Sequence, residues 1–321
     1  MKVLLTGAFG NIGANCLTKL LEQGHQVRCF DLETKGNQAK ARKFRGRIEL
    51  SWGDLRRPDD VAAAVQDRDV VIHLGFILPP ATEERPEWAR DVNVGGTKSL
   101  LQAMKDLRSR PKIVFASSFS IYGDCQDKPP PRTASDPVQP TDNYNQHKVE
   151  CENLVRESGL AWLIVRLAVV PPRGLGGFSP TMFDVPADAR VEFVHPADVG
   201  LAIANAVISN EVWGKTLLIG GGADSQLRYR DFVGQMMEAM GVGRLPDSAF
   251  AASASAYTDW LDTAESQSLL HYQEHSFQEF VQEVAGSLGF IRYLMRLFAP
   301  LIRWWMLSKS PYYKASRSGA G

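Results

Sequence analysis

The sequence predicts an α/β fold: a doubly wound parallel sheet covered on both faces by helices, with a smaller, discontinuous C-terminal lobe. Three observations predict it. Short β-rich runs alternate with helical stretches over the first two-thirds of the chain. A glycine-rich turn joins the first of these runs to the first helix, and an aspartate closes the second run. Strands separated by helices need crossover connections, and crossovers generate parallel pairing.

Taken in order, Val3 to Leu5 reads as a strand and Asn11 to Gln23 as the helix after it. Gln26 to Phe30 and Ile48 to Leu50 are the next strands. Val70 to Leu74 and Lys112 to Ala116 follow, with one long helix from Trp88 to Leu107 between them. A helix over Asp142 to Glu157 precedes a further apolar strand, Trp162 to Arg166. Two loop-rich zones, 124–140 with its five prolines and 171–188, both follow strands. They should lie at the carboxyl edge of the sheet, where such folds bind ligands. Beyond residue 171 the alternation weakens. The expected division is a sheet domain over 1–170, joined by a strand and helix near 191–220. A lobe that mainly binds substrate follows over 171–287, and then a tail over 288–321.

With 321 residues, 44% of them apolar, the chain can bury a full core. Its formal net charge is zero, which gives no electrostatic reason to expect nucleic acid. Cys16, Cys29, Cys125 and Cys151 form no CxxC pair, and a chain of this length does not depend on disulfides. Reduced thiols in a cytoplasmic protein are the expectation. The opening MKVLLTGAFG runs straight into the glycine turn without a basic region or cleavage site, so no signal peptide is expected.

That turn is Thr6-Gly7-Ala8-Phe9-Gly10-Asn11-Ile12-Gly13. Glycines at 7, 10 and 13 let the backbone turn tightly and approach a pyrophosphate, and the helix N-terminus offers it free N–H groups. This is the Rossmann-type arrangement. Asp31 ends the second strand about twenty residues further on. Its carboxylate can accept hydrogen bonds from an adenosine ribose and repels a 2′-phosphate, which favours NAD over NADP. Tyr144 and Lys148 are spaced i, i+4 on the helix from Asp142, so they share a face. An ammonium there favours the phenolate and is expected to lower the tyrosine pKa, fitting Tyr144 for acid/base work beside hydride transfer. Ser117, Ser118 and Ser120 supply hydroxyls after the preceding strand.

These residues resemble the extended short-chain dehydrogenase/reductase family, the NAD-dependent epimerase/dehydratase group. The resemblance covers about residues 1–240 and rests on TGAFGNIG at 6–13, Asp31, Gly53-Asp54-Leu55, His73-Leu74-Gly75 and Asn93-Val94-Gly95-Gly96-Thr97. It continues through SSFSIYG at 117–123, YNQHK at 144–148, Arg166 and His195-Pro196-Ala197-Asp198-Val199. It implies that Gly7, Phe9, Gly10, Asn11, Ile12, Gly13 and Asp31 bind the cofactor. Asp54 and Leu55 would contact adenine, Leu74 and Gly75 would line the nicotinamide side, and Asn93 would organise the site near the ribose. Ser118 matches the catalytic Ser/Thr and Tyr144 with Lys148 the catalytic pair, Lys148 also holding the ribose.

The departures narrow the chemistry. Phe119 and Ser120 stand where the sugar-nucleotide dehydratases of the family carry Asp-Glu, so no acid is placed to eliminate water. Val169 stands where many sugar-nucleotide enzymes carry an asparagine for substrate phosphate. Phe76, Ile77 and Leu78 add apolar surface where substrate should enter. The resulting expectation is an NAD(H)-dependent oxidoreductase acting at a secondary alcohol or ketone on a rather apolar small-molecule substrate. A nucleotide-sugar 4-epimerase with retained NAD is the rival, and a non-catalytic nicotinamide sensor or scaffold the third reading.

Residues 288–321 carry six basic residues, Arg292, Arg296, Arg303, Lys309, Lys314 and Arg317, no acid, and bulky apolar residues between them. Two readings stand: a helix lying on an anionic membrane, or one packed on the protein as lid or homodimer contact. Arginines and Pro300 interrupt the run, so no spanning helix is expected, and Pro300 should kink the helix. His271-Tyr272-Gln273-Glu274-His275 matches the zinc-peptidase pattern HxxEH. No metal is assigned to it, because no further ligand is evident and a nicotinamide site is already complete.

Overall fold

A computed structural model describes residues 1–172, 179–253 and 256–318. Part of the second loop-rich zone, 173–178, lies outside the described residues. Seven strands form one parallel sheet: β1 (Lys2–Thr6), β2 (Gln26–Asp31), β3 (Glu49–Trp52), β4 (Val70–His73), β5 (Lys112–Ser118), β6 (Trp162–Leu167) and β8 (Lys215–Ile219). Their order is β3-β2-β1-β4-β5-β6-β8. β7 (Arg190–Glu192) and β9 (Gln226–Arg228) form a separate antiparallel pair.

The helices are α1 (Asn11–Glu22), α2 (Lys35–Ala41), α3 (Pro58–Val65), α4 (Ala81–Glu84), α5 (Pro86–Arg90), α6 (Gly96–Lys105) and α7 (Asn143–Arg156). α8 (Pro196–Ile208), α9 (Tyr229–Ala239), α10 (Ala264–Leu270) and α11 (Phe277–Leu288) follow. The chain closes with α12 (Phe290–Leu297), α13 (Ala299–Lys309) and α14 (Pro311–Ser318).

Strand alternation explains the two-sided core. Val3, Leu5, Val114 and Ala116 point to the face covered by α1 and α8, meeting Leu17, Leu20, Ala202 and Ile203. Leu4, Val71, Ile113 and Phe115 point to the other face, meeting Val61, Leu101, Met104 and Val155 of α3, α6 and α7. Each fully buried aliphatic or aromatic side chain of this kind stabilises the fold by roughly 1.5–3 kcal/mol. Gly200 of α8 permits the close approach of α1, since a Cβ there would lie 2.7 Å from the Asn15 carbonyl carbon.

The long helix expected over 88–107 is interrupted. α5 and α6 are separated by a wider π-type turn at Asp91–Gly95. There Asn93 turns its amide inward onto the backbone of Ile77, a tertiary contact that apolar periodicity does not report. The kink expected at Pro300 is a break in the helix at Phe298, between α12 and α13. Pro300 sits in the first turn of the new helix, where its missing N–H costs nothing.

Candidate active site

The β1–α1 turn is shaped by what its glycines lack. Gly7 adopts φ +65°, and a Cβ on it would lie 2.8 Å from Gly75 N. A Cβ on Gly13 would lie 2.1 Å from Gly7 O. The turn therefore folds flat against the carboxyl ends of β1 and β4, and α1 begins at Gly10 with no side chain over its first N–H groups. Asp31 stands beside it. One carboxylate oxygen accepts from Phe9 N (3.0 Å) and the other from Leu32 N (2.9 Å) and Asn37 Nδ2 (3.0 Å). A carboxylate has about four acceptor positions, so capacity remains for a ribose hydroxyl.

A cavity of about 480 Å³ runs from this turn along the sheet edge. Of the residues expected to bind cofactor, Gly7, Phe9, Gly10, Asn11, Ile12, Gly13, Asp31, Asp54, Leu55, Leu74 and Gly75 line it, as do Tyr144 and Lys148. Asn93 does not. It is fully buried, and its amide accepts from Ile77 N (2.7 Å) and donates to Ile77 O (3.1 Å), clamping the segment that carries Phe76 and Leu78. Pattern reading missed Asn37, Lys40 and Arg56 at one end of the cavity and Trp88 and Val92 at the other. Lys40 donates to Phe9 O (2.7 Å), and Arg56 holds the Asp54 carboxylate below its ordinary range. Their place just after β2, β3 and β4 was the available signal, because ligands collect at the carboxyl ends of such strands.

A hydrogen-bond chain fixes the strand ends. Leu74 N and Gly75 N donate to Thr6 Oγ1 (3.1 and 3.0 Å), which pairs with His73 Nδ1 (2.8 Å). His73 Nε2 pairs with Thr97 Oγ1 (3.1 Å), which donates to Asn93 O (2.5 Å). With two N–H donors on Thr6 and a carbonyl under Thr97, the hydroxyl protons run one way and the imidazole is neutral. Burial, with help from the Lys148 charge, pushes His73 down to about 3, consistent with that tautomer.

Tyr144 enters on the first turn of α7, capped by Asp142, whose carboxylate accepts from Asn145 N (2.7 Å). Its ring meets Phe76 edge-on at 5.9 Å, and the Ser118 hydroxyl lies near its own. Ser118 also pairs with Ser120 Oγ (2.8 Å), which donates to Asn145 Oδ1 (2.6 Å). Ser117, buried beside Glu152, is the serine among the residues lining the cavity, and Ser118 is not one of them. Lys148 is buried one turn on. Its Nζ donates to Ala116 O (2.6 Å) and lies 5.7 Å from the centre of the Tyr144 ring.

The expected lowering of the tyrosine pKa is not what this geometry produces. Burial pushes Tyr144 up to about 12, with the Ser118 hydroxyl opposing and Asp142 adding to the rise. Burial also pushes Lys148 down to about 7. Loss of water around both groups outweighs the attraction between their charged forms.

The HxxEH pattern does not form a helical pair. α10 ends at Leu270, and His271 is its left-handed cap at φ 45°. His275 instead stacks on His195 at 4.4 Å, and its Nδ1 pairs with Asp198. Asp198 also accepts from Glu274 N and His275 N (3.2 and 3.0 Å). These three side chains lie close enough to hold a cation, but each is already engaged in tying the first turn of α8 to the 271–276 connection.

Residues 3–181 match the model of the NAD dependent epimerase/dehydratase family. The chain belongs to this family. Among its curated relatives, a 3-beta-hydroxysteroid dehydrogenase of Mycolicibacterium neoaurum is 30% identical over 182 residues, 54% of this chain and 48% of the relative. A UDP-glucose 4-epimerase of Lactobacillus helveticus is 31% identical over 162 residues, 48% of this chain and 46% of the relative. The chain thus spans about half the length of the curated relatives it matches. Among solved structures, a UDP-glucuronic acid 4-epimerase of Bacillus cereus, in complex with UDP-glucuronic acid and NAD, superposes with TM-score 0.74. It is 21% identical, over 92% of this chain and 100% of that one. At that identity the likeness establishes the fold. The dinucleotide NAD is the cofactor that names the family.

Proposed function

We propose that this family member is an NAD(H)-dependent oxidoreductase acting at a secondary alcohol or ketone of a rather apolar substrate. The observation that carries the reading is Tyr144, which lies beside the Ser118 hydroxyl and lines the same cavity as the glycine turn. NAD would be held by the β1–α1 turn, Asp31 and Lys148, and would supply or take up the hydride. Ser118 then orients the substrate oxygen. Tyr144, protonated throughout the physiological range, donates its proton to that oxygen as a ketone becomes an alcohol. Phe76, Ile77, Leu78, Trp88 and Val92 wall the cavity beyond. That apolar wall, and hydroxysteroid dehydrogenases among the relatives, support an apolar substrate over a nucleotide sugar. Residues 1–170 would serve mainly the cofactor and 171–287 the substrate, in a cytoplasmic protein with its four cysteines buried and free.

The test is turnover of hydroxysteroids and UDP-sugars, followed at the absorbance band of the reduced cofactor, for the native chain and Tyr144→Phe. Net absorbance change with a hydroxysteroid, lost in Tyr144→Phe with dinucleotide binding intact, is expected. Conversion of a UDP-sugar without net absorbance change would make the chain a 4-epimerase instead. Undiminished turnover by Tyr144→Phe would refute the role of the phenol, and no turnover in either panel would favour a nicotinamide sensor.

For the tail we infer peripheral contact with a membrane surface. None of the described helices is long and apolar enough to cross one. α12 and α13 nevertheless expose Phe290, Leu294, Leu297, Phe298, Leu301 and Trp304, and apolar surface on that scale marks a partner.

A further inference from the structure

α12 and α13 pack one apolar side on the lobe and leave a second apolar face in solvent. A helix packed on a protein turns its apolar side inward. Here Phe290, Leu294, Leu297 and Phe298 face out, 73, 44, 72 and 52% exposed, and the i, i+3/i+4 series continues through Leu301 and Trp304. Met295, Ala299, Ile302 and Met306 pack on the lobe, while Arg292 and Arg296 stay exposed at the edge of that contact. The Gly241 turn after α9 lies so close that a Cβ there would stand 2.6 Å from Arg292 O and 3.3 Å from Arg296 N. Arg303 reaches the same turn from α13, donating to Val242 O (3.0 Å). Gly243 admits it, since a Cβ there would lie 2.6 Å from Arg303 Nη1.

Arg292, Arg296 and Arg303 therefore line one open groove of about 490 Å³ beside the apolar stripe. The acid on its wall, Glu238, is paired with Arg244 (3.0 Å). Among the described residues no unpaired carboxylate lines the groove, and three arginines there match a phosphate, whose oxygens guanidiniums engage as planar forks. A free metabolite would give no reason for the adjoining stripe. A phospholipid explains both, its phosphate beside the guanidiniums and its acyl chains beside Leu297, Phe298 and Leu301.

We propose that this groove is a headgroup site for an anionic phospholipid, occupied when the stripe rests on a bilayer. The proposal builds on the membrane reading of the tail and can fail separately from it. The test is sedimentation of the full chain with vesicles of phosphatidylcholine alone and of phosphatidylcholine mixed with phosphatidylglycerol. The native chain is compared with Arg292→Gln/Arg296→Gln, Arg292→Gln, Lys309→Gln and Leu297→Glu/Phe298→Glu, each first shown to keep the native thermal midpoint and dinucleotide binding. Lys309 is exposed and outside the groove.

Expected is tighter binding to the mixed vesicles. The double arginine variant loses about tenfold or more in affinity for them, Lys309→Gln loses less than Arg292→Gln, and the stripe variant loses binding to both vesicle types. Equal losses from Lys309→Gln and Arg292→Gln would mean diffuse attraction and overturn the groove while leaving membrane contact standing. So would saturable binding of inorganic phosphate, abolished in the double variant while vesicle binding is unchanged. Failure of the native chain to bind either vesicle would overturn both readings, and a concentration-dependent dimer lost in the stripe variant would then assign the stripe to a second copy.

Discussion

The ammonium of Lys148 lies 3.5 Å from the centre of the Phe76 ring. Tyr144 meets that ring edge-on, its own centre 5.7 Å from the ammonium, and Phe115 stands 5.1 Å from the same ammonium. An aromatic face stabilises a cation, but less than water does, so Lys148 keeps a partner and still loses protonation near neutral pH. A segment that the sequence marked as apolar substrate wall thus also sets the charge of the site.

The first consequence is a pH-dependent stability. Lys148 is lowered from 10.5 to about 7 on folding. Between these values the unfolded chain holds a proton that the folded chain releases, so stability rises with pH through this window and falls as pH drops toward 7. The urea midpoint of the native chain should climb from pH 7 to pH 10 relative to that of Lys148→Met. Parallel profiles would show that the amine is not desolvated.

Gly13→Ala should damage the dinucleotide cradle. Its Cβ would collide with Gly7 O at 2.1 Å, and both atoms belong to backbone that cannot step aside. A loss of about 1–3 kcal/mol in stability is expected from overpacking of this kind, together with at least tenfold weaker NAD binding by roughly the same energy. Calorimetric titration of NAD into the variant checks it, and native affinity would dismiss the cradle.

Asp31 is expected to select the unphosphorylated cofactor. Asp31→Ser removes the charged acceptor, worth roughly 1.5–3 kcal/mol in a hydrogen bond, or about 10–100-fold in affinity for NAD. NADP should lose far less, since the repulsion of its 2′-phosphate goes at the same time. The ratio of kcat/KM for the two cofactors measures this, and an unchanged ratio would remove Asp31 from the specificity argument.

Glu152 and Arg166 carry a structural load behind the site. Arg166 grips the Glu152 carboxylate with two bonds, 2.9 and 2.7 Å, and bonds Tyr122 Oη at 2.6 Å, all out of water. Burial works against ionisation of Glu152, yet these bonds hold its pKa below the usual value. Glu152→Ala strands the guanidinium and should cost about 3–5 kcal/mol. Denaturant midpoints decide, and a shift below about 1 kcal/mol would mean that Tyr122 and water replace the carboxylate.

Much of the site was legible because its requirements are local. Gly7 needs a positive φ and Gly13 a missing Cβ within one short turn. Asp31 follows that turn at the spacing of one crossover. Helical periodicity alone puts Tyr144 and Lys148 on one face. Asn93 was read as a site residue, yet it stands off the cavity as a backbone clamp, because its partner Ile77 comes from another element. The i, i+4 histidines misled for the converse reason: a left-handed residue at His271 breaks the helix that the spacing presumes.

The sequence by itself determined the sheet, the glycine turn and the shared helix face of Tyr144 and Lys148, since backbone dihedrals and side-chain periodicity are written in short stretches of chain. Only the tertiary structure decided that Tyr144 is raised rather than lowered, because desolvation depends on rings delivered by distant strands. It also decided that three arginines spread over two C-terminal helices share one groove, because the Gly241–Gly243 turn that gathers them comes from a different part of the lobe.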